Sequence, residues 1–258
     1  MKRLLEMLAG CVAIAWLRVF GSRRGVILSY HSVSDADWIH AVSPDVFRAQ
    51  LTTLASCVSV GSLEDLERLA QRGGDRSRRP PAAIIFDDGY ADWASQAIPA
   101  LCEAGYTATF FIATSGYETG RFSLVTSVSH AGLEPLRVSD VGALLEAGCA
   151  IGSHSHTHLN LSGVDAGVAQ DDLHRSQEIL LGLVQAPIMR VSYPKGRIRP
   201  ELFPMLRTLG FVSGVAGHGA VSCGTDVYAL PRIPVTRDIT PFRLRCKIAL
   251  ALVFGFVA

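Results

Sequence analysis

The chain has 258 residues, of which 49% are hydrophobic and 18% are charged, and its net charge at pH 7 is +1. A chain of this length can bury a sizeable core within one domain, and its apolar content excludes a disordered protein. A net charge so close to zero provides no basic field that would hold nucleic acid, so we expect polar or neutral partners and no nucleic acid.

The N-terminal segment from Leu4 to Phe20 is apolar and is followed by a pair of arginines. Glu6 and Arg18 interrupt it, which makes it a poor membrane-spanning helix. We therefore predict that residues 1–24 form an apolar or amphipathic helix that lies on the following domain or on a membrane surface. This helix predicts a chain that is cytoplasmic or peripheral at the inner membrane.

Six cysteines are scattered along the chain without a C-x-x-C pair, at positions 11, 57, 102, 149, 223 and 246. A disulfide framework is typical of small secreted proteins, so we expect free thiols in the core. Six scattered cysteines without a disulfide pattern favour a cytoplasmic location.

Two helix starts are marked early in the chain. Ser43 and Pro44 predict an N-cap and a first-turn proline, and Ser62 with Asp65 predicts a capping box for a second helix. A short apolar strand, Val26 to Tyr30, precedes them.

A weak repeat follows, in which a helix ends at a glycine and a short apolar strand comes next. The three glycines are Gly105, Gly148 and Gly210. Repeated helix-to-strand units indicate a parallel sheet with helices packed outside it. With Ala82–Phe86, Met189–Tyr193 and Tyr228–Ile233 as further strands, the count is about seven, and an open doubly wound sheet remains an alternative to a barrel.

Two adjacent carboxylates, Asp87 and Asp88, follow the strand that ends at Phe86, and Gly89 comes next. Charges at the C-terminal end of a parallel strand lie where barrel enzymes place their chemistry. Adjacent strand residues point to opposite sides, so one acid can hold a metal while the other takes a proton. Standing alone, the motif fits a solvated turn equally well.

Three alternating histidines, His154, His156 and His158, follow another strand. His154 and His158 are four residues apart, which allows both to bind one ion, whereas His156 is expected to point elsewhere. Two histidines and one carboxylate leave open coordination positions for water, as catalytic zinc sites do.

Three further strand ends carry weaker signals. Tyr193, Pro194, Lys195 and Gly196 form a proline-glycine loop, Tyr30-His31 ends the first strand, and Arg232 lies in the last one. In a parallel barrel all these ends meet on one face.

Together, the motifs resemble the polysaccharide deacetylases, the family that includes the NodB-type chitooligosaccharide deacetylases. Phe86-Asp87-Asp88-Gly89 matches the first family motif, His154-Ser155-x-x-His158 the second, and Tyr193-Pro194-Lys195-Gly196 is similar to the groove-wall motif. The resemblance spans residues 25–258 as one NodB homology domain, mainly 25–235. It implies an α/β fold, a distorted TIM-like (β/α)7 barrel, and a hydrolase that removes N-acetyl groups from an oligo- or polysaccharide.

The resemblance also implies roles for single residues. Asp87 is the base, and Asp88, His154 and His158 hold a divalent metal, Zn²⁺. Arg232 orients Asp87 and belongs with the groove residues.

The remaining roles are hypotheses from the residues themselves. Tyr90 and Tyr193 would stack on the sugar, and His31 would be the general acid, with Lys195 or His218 as substitutes.

The chain departs from the better-known family members in two places. Ser192 and Lys195 stand where those members have an arginine and a tyrosine, and no late Leu-x-x-His motif follows Arg232. The missing histidine keeps a second hypothesis open, a catalytically impaired barrel that binds metal and sugar. A metal phosphoesterase is a third, but those enzymes usually need more carboxylates or a second metal.

Overall fold

The computed structural model describes residues 2–120 and 133–256. Ten strands occur in these two ranges: β1 Val26–Tyr30, β2 Ser32–Val33, β3 Ala41–Val42, β4 Ser59–Gly61, β5 Pro81–Asp88, β6 Thr109–Ile112, β7 Ala150–Ser153, β8 Arg190–Ser192, β9 Ser213–His218 and β10 Leu230–Pro234.

Seven of these strands close a parallel barrel in the order β1-β10-β9-β8-β7-β6-β5. The closing pair is β1 with β5, in register from Val26 opposite Ala82 to Tyr30 opposite Phe86. β4 pairs with the first residues of β5, whose later residues pair with β6. The predicted (β/α)7 barrel is confirmed, and the β1–β5 pairing rules out the open sheet.

Helices cover the outside of the barrel: α1 Lys2–Phe20, α2 Pro44–Cys57, α3 Leu63–Arg72, α4 Ile98–Ala104, α5 Thr114–Thr119, α6 Val138–Glu146, α7 Ala166–Val184, α8 Phe203–Thr208 and α9 Pro241–Phe254. The two predicted starts are confirmed. Pro44 is at the first position of α2, and Ser62 and Asp65 form the capping box of α3.

The helix-glycine-strand units are formed as the repeat predicts. Gly105, Gly148 and Gly210 have φ angles of 69°, 72° and 82°. This left-handed conformation is accessible to glycine at little cost, and it turns the chain from helices α4, α6 and α8 into strands β6, β7 and β9.

The N-terminal helix α1 lies along α9. Residue numbers rise in both helices along their contacts, from Glu6 beside Lys247 to Arg24, just after α1, beside Leu252. The two helices therefore run in the same direction. Within the described ranges, no helix combines the length and apolar content needed to cross a bilayer.

The cysteines are all free, as predicted, but the expectation of core thiols is wrong for most of them. Only Cys149 and Cys246 are buried, whereas Cys11, Cys102 and Cys223 are exposed. Their apolar sequence neighbours do not decide burial, because a helix presents neighbouring residues to different sides.

Candidate metal centre

Polar side chains converge on the rim of the barrel where the parallel strands end. β5 ends with Asp87 and Asp88, His154 follows β7, and Arg232 lies in β10. All four side chains are buried, with at most 7% of each residue exposed. Buried charges are retained only where they are paired or coordinate an ion, so this cluster points to a functional site.

Asp88, His154 and His158 form the centre of the cluster. Nε2 of His154 and Nε2 of His158 each lie 3.3 Å from Oδ1 of Asp88. The three candidate ligand atoms all lie within 4.8 Å of one another. Oδ2 of the same carboxylate accepts a hydrogen bond from the Tyr90 hydroxyl at 2.9 Å. Oδ1 is therefore left directed at the two imidazoles.

A hydrogen bond fixes the orientation of the His154 ring. Its Nδ1 lies 2.7 Å from the carbonyl oxygen of Ser192, which can only accept. Nδ1 must therefore carry a proton, and in the neutral ring Nε2 presents a lone pair to Asp88. Burial lowers the pKa of His154, but the Asp87 and Asp88 carboxylates outweigh it and raise the pKa above its usual value.

These residues fit a divalent cation. Oδ1 of Asp88 is buried without a hydrogen-bond partner of its own among the described residues. Two ligand atoms held at about 2.1 Å from a tetrahedral ion are about 3.4 Å apart, close to the observed separations. Two imidazoles and one carboxylate are also ligands that suit zinc. Burial raises the pKa of Asp88, but His154 and His158 bring it well below its usual range, so the ligand oxygen is anionic.

Asp87 is the second acid of the site. Its Oδ2 accepts hydrogen bonds from Arg232 at 2.6 Å and from Ser29 at 3.1 Å. Its Oδ1 is buried, has no such partner among the described residues, and lies 3.9 Å from Nδ1 of His154. One oxygen is thus anchored while the other is available to a proton. Burial raises the pKa of Asp87, but Arg232 and the neighbouring histidines outweigh this and lower it.

The backbone of the site is strained. Four non-glycine residues of the site have positive φ angles: Asp88 at 87°, Ser155 at 64°, His158 at 57° and Lys195 at 60°. Such conformations cost free energy and persist where the surrounding structure enforces them, often at active sites. At Asp88 the positive φ breaks the strand alternation, so both acids lie beside His154 instead of on opposite sides.

His31 lies at the end of β1 within a cluster that the sequence motifs did not indicate. Its ring is 4.5 Å from the His40 ring and 5.9 Å from Trp38, centroid to centroid. Burial lowers the pKa of His31 to about 4, against the opposing charges of Asp88 and Asp87. The same carboxylates act on the pKa of His40, which burial also lowers. Both histidines therefore lie within electrostatic range of the two carboxylates.

The predicted sugar-stacking residues are corrected by the structure. Tyr90 and Tyr193 are 0% exposed, so neither ring presents a face to a ligand. The Tyr90 hydroxyl is held by Asp88, and the Tyr193 hydroxyl donates to the carbonyl of Tyr228 at 2.8 Å. Tyr193 also fills the space beside Gly214, where a Cβ would lie 2.0 Å from its hydroxyl oxygen. Both tyrosines support the rim from inside.

The rest of the third motif divides between buried and exposed positions. Pro194 is buried, which removes it from a sugar-contacting surface, whereas Lys195 is exposed. Gly196 lies close to the Arg232 guanidinium, because a Cβ added at Gly196 would be 3.6 Å from a guanidinium nitrogen. Arg232 itself is turned to Asp87 and to the Ser192 hydroxyl at 2.6 Å. Arg232 is therefore placed to orient the Asp87 carboxylate, and Lys195 is the one exposed side chain of this motif.

His218 is exposed and lies opposite Arg232 in the β9–β10 register. Partial burial of its ring lowers the pKa of His218, and the charges of Arg232 and Lys247 lower it further. The two carboxylates are not among the groups that act on it, so it is a weaker candidate for the acid than His31.

His156 points away from the centre, as predicted. Its Nδ1 lies 2.9 Å from the Thr114 hydroxyl, and its backbone N–H donates to Asp172 of α7 at 2.8 Å. Asp172 also accepts from the backbone and hydroxyl of Thr157. Asp172 therefore holds the loop between His154 and His158 in place. Sequence motifs gave no sign of it, because it lies in a helix more than ten residues later.

Comparison with known proteins agrees with this geometry. A family model described as polysaccharide deacetylase matches residues 74–214, which is more than half of the chain. The chain is 26% identical over 224 residues to YxkH of Bacillus subtilis (strain 168), whose name places it among the polysaccharide deacetylases, covering 86% of this chain and 75% of YxkH.

Two solved structures share the fold. IcaB from Ammonifex degensii aligns with a TM-score of 0.75 and 22% identity, covering 90% of this chain and 99% of IcaB. The Streptococcus pyogenes deacetylase PplD, solved in complex with acetate, aligns with a TM-score of 0.73 and 20% identity, covering 88% of this chain and 99% of PplD.

Proposed function

Because the chain belongs to the polysaccharide deacetylase family, we propose that it hydrolyses the N-acetyl groups of amino-sugar units in an oligo- or polysaccharide, with a divalent ion held by Asp88, His154 and His158. The family match makes the chain a carbohydrate deacetylase of the hydrolase class. The metal, the polymer and the residue roles are the proposal.

The observation that carries the proposal is the arrangement of three ligand atoms around one point. Oδ1 of Asp88 has 3.3 Å contacts to both Nε2 atoms and no other hydrogen-bond partner among the described residues. A neutral His154 with a protonated Nδ1 would present a lone pair to an anionic oxygen, which is unfavourable unless a cation lies between them. A zinc ion satisfies all three atoms at once.

When bound, such an ion would supply Lewis-acid chemistry by lowering the pKa of a water from about 15.7 toward about 7 and polarising the acetamide carbonyl. The chain itself supplies the base. Oδ1 of Asp87 is free to accept the proton of the attacking water, while Arg232 and Ser29 hold Oδ2 still. General-base catalysis of this kind contributes about 10²–10⁴ in rate.

The leaving amine must receive a proton as the carbon–nitrogen bond breaks, so that water and the acetamide become acetate and a free amine. His31 is the proposed donor, because its Nδ1 is buried without a hydrogen-bond partner among the described residues and both carboxylates act on its pKa. Since burial lowers that pKa to about 4, the free imidazole is neutral near pH 7, and we propose that it takes up the proton that Asp87 removes from the water before passing it to the amine. Its position at the end of β1 supplies an imidazole although no late Leu-x-x-His motif exists in the chain. A backbone N–H near Lys195 is proposed to stabilise the oxyanion; losing one such donor costs about 10²–10³ in rate.

Acetate release tests the proposal. The purified chain is stripped of metal and assayed on N-acetylglucosamine oligomers of several lengths, then assayed again after Zn²⁺ is restored. We expect turnover only with the ion. His31→Gln should lower the rate of acetate release by about 10²-fold or more. Arg197→Gln, which changes an exposed residue in the loop after β8, is the control. Turnover that persists after complete metal removal would contradict the metal role.

Acetate release, combined with a measurement of oligomer binding by the metal-loaded chain, distinguishes the impaired-barrel alternative. In that case the metal-loaded chain would bind the oligomers without releasing acetate, and His31→Gln would change neither quantity.

A further inference from the structure

Helix α1 has an exposed side made almost wholly of apolar side chains. Six of them are between 49% and 69% exposed: Leu5, Leu8, Val12, Trp16, Val19 and Phe20. The first five are spaced by three or four residues and Phe20 follows Trp16 by four, so all six share one face of the helix. We call this set the outer arc. Monomeric soluble proteins rarely expose such a continuous apolar face without a partner.

The opposite side of α1 is already occupied by the protein. Gly10 lies against Cys246 so closely that an added Cβ would be 2.4 Å from the cysteine Cβ. Ala13 packs with Ala249 and Leu250. Because α1 is apolar on both sides, packing on α9 explains only half of its composition.

No acidic side chain of α1 lies on its outward side. Glu6 is the only acid in the helix, and it is turned inward, where Lys247 is 3.1 Å and Arg243 is 3.7 Å away. The outer arc therefore carries no negative charge.

A basic pocket adjoins the end of the outer arc. It has a volume of about 600 Å³ and is lined by Trp16 together with four arginines, Arg23, Arg24, Arg72 and Arg76, and by no carboxylate. Arg24 and Arg76 bond to backbone carbonyls only. In the part of the chain that the structure describes, none of the four arginines forms an ion pair with an acid. The pocket is thus positive and suited to an anionic group.

We propose that the outer arc and the basic pocket together bind the surface of an anionic lipid bilayer. The arc inserts its apolar side chains between lipids, and the arginines contact phosphate headgroups. A single convex helix suits a deformable surface better than a grooved protein partner. A second copy of the chain packed through this face would leave the arginines of the basic pocket without an anionic partner, whereas phosphate headgroups would neutralise them.

Vesicle flotation of the full-length chain tests the proposal. The chain is mixed with phosphatidylcholine vesicles and with vesicles that also contain phosphatidylglycerol. We expect flotation with the anionic vesicles, weaker flotation with the neutral ones, and a decrease at high salt. Absence of flotation with anionic vesicles would overturn the proposal.

Matched variants locate the binding surface. Val12→Gln with Trp16→Gln should reduce vesicle affinity by about tenfold or more, because the inserted apolar area is removed. Val168→Gln with Leu181→Gln changes two similarly exposed residues of α7 and should have no effect. Arg23→Gln with Arg72→Gln should remove the preference for anionic vesicles. Equal flotation of the α1 variant and the wild type would overturn the proposal.

Light scattering distinguishes the main competitor. If the wild type is a dimer that the Val12→Gln, Trp16→Gln variant dissociates, and neither floats, the outer arc joins two copies and the proposal is wrong. Thermal unfolding of each variant verifies that it is folded. None of these measurements depends on deacetylation.

Discussion

The barrel rim and the outer side of α1 depart from the usual distribution of side chains in opposite ways. At the rim, Asp87, Asp88, His154 and Arg232 are charged or ionisable groups that are almost completely buried. Along α1, the outer arc consists of large apolar side chains that face solvent. A buried polar group and an exposed apolar patch are the two informative exceptions to the burial rule.

The two exceptions call for different surroundings. At the rim, the proposed cation would satisfy the Asp88 carboxylate and the two imidazoles that are directed at one point. Along α1, the proposed bilayer would cover the exposed apolar side chains of the outer arc, and its phosphates would face the adjoining arginines. The two regions should be separable by mutation, because damage to one should leave the function of the other intact.

The largest effect is expected at Asp87. Asp87→Asn should lower deacetylation by about 10²–10⁴-fold while the bound metal is retained, because the anchored carboxylate is replaced by an amide that cannot take a proton. Acetate release and metal content measured on the same sample check this. Normal turnover would remove Asp87 from the role of base, and vesicle binding should be unchanged.

A smaller effect is expected at Asp172, which touches neither the proposed ion nor the substrate site. Asp172→Ala should weaken Zn²⁺ binding by about 10–100-fold, because the loop between His154 and His158 loses three hydrogen bonds. Asp171→Ala, the exposed neighbour on the same helix, is the control. Competition titration with a zinc chelator measures both, and equal affinities would show that Asp172 does not position the ligands.

Acid should weaken metal binding by about tenfold per pH unit for each imidazole that must lose a proton. Burial lowers the pKa of His154, but Asp87 and Asp88 outweigh burial and raise it above its usual 6.5. As the pH falls, the loss of metal affinity should therefore begin above pH 6.5. The sign follows because protons compete with the ion for Nε2. Affinity that is constant across this range would contradict the ligand assignment of His154.

The smallest effects compare the two sides of α1. Gly10→Ala should destabilise the fold by about 1–3 kcal/mol, because its Cβ would collide with Cys246. Val12→Gln on the outer arc should change stability by less than about 0.5 kcal/mol, since it is exposed. Thermal unfolding measures both, and a large loss in Val12→Gln would mean that the arc is packed against the protein.

The sequence predicted those features that depend on chain topology. Parallel strands place their C-terminal ends on one rim, so motifs at strand ends had to meet there, and Asp88, His154 and His158 lie together as the spacing indicated. The glycine-ended helices and the capping box of α3 follow from local backbone preferences, and the structure confirms them.

What the sequence did not predict depends on side-chain direction and on distant contacts. Tyr90 and Tyr193 follow strands closely enough to reach a groove, yet their rings turn inward and their hydroxyls find buried acceptors. The positive φ of Asp88 could not be inferred from a non-glycine residue. His40 and Asp172 reach the site from other elements, and no spacing rule connects them with it.

Metal content measured in three proteins tests the central claim most directly. The wild type and His156→Ala, each loaded with Zn²⁺ and dialysed, should retain one ion per chain by mass spectrometry, because His156 is bonded to Thr114 instead of facing Asp88. His154→Ala should retain none and should lose deacetylation with it. Stoichiometric zinc in His154→Ala would contradict the proposed ligand set.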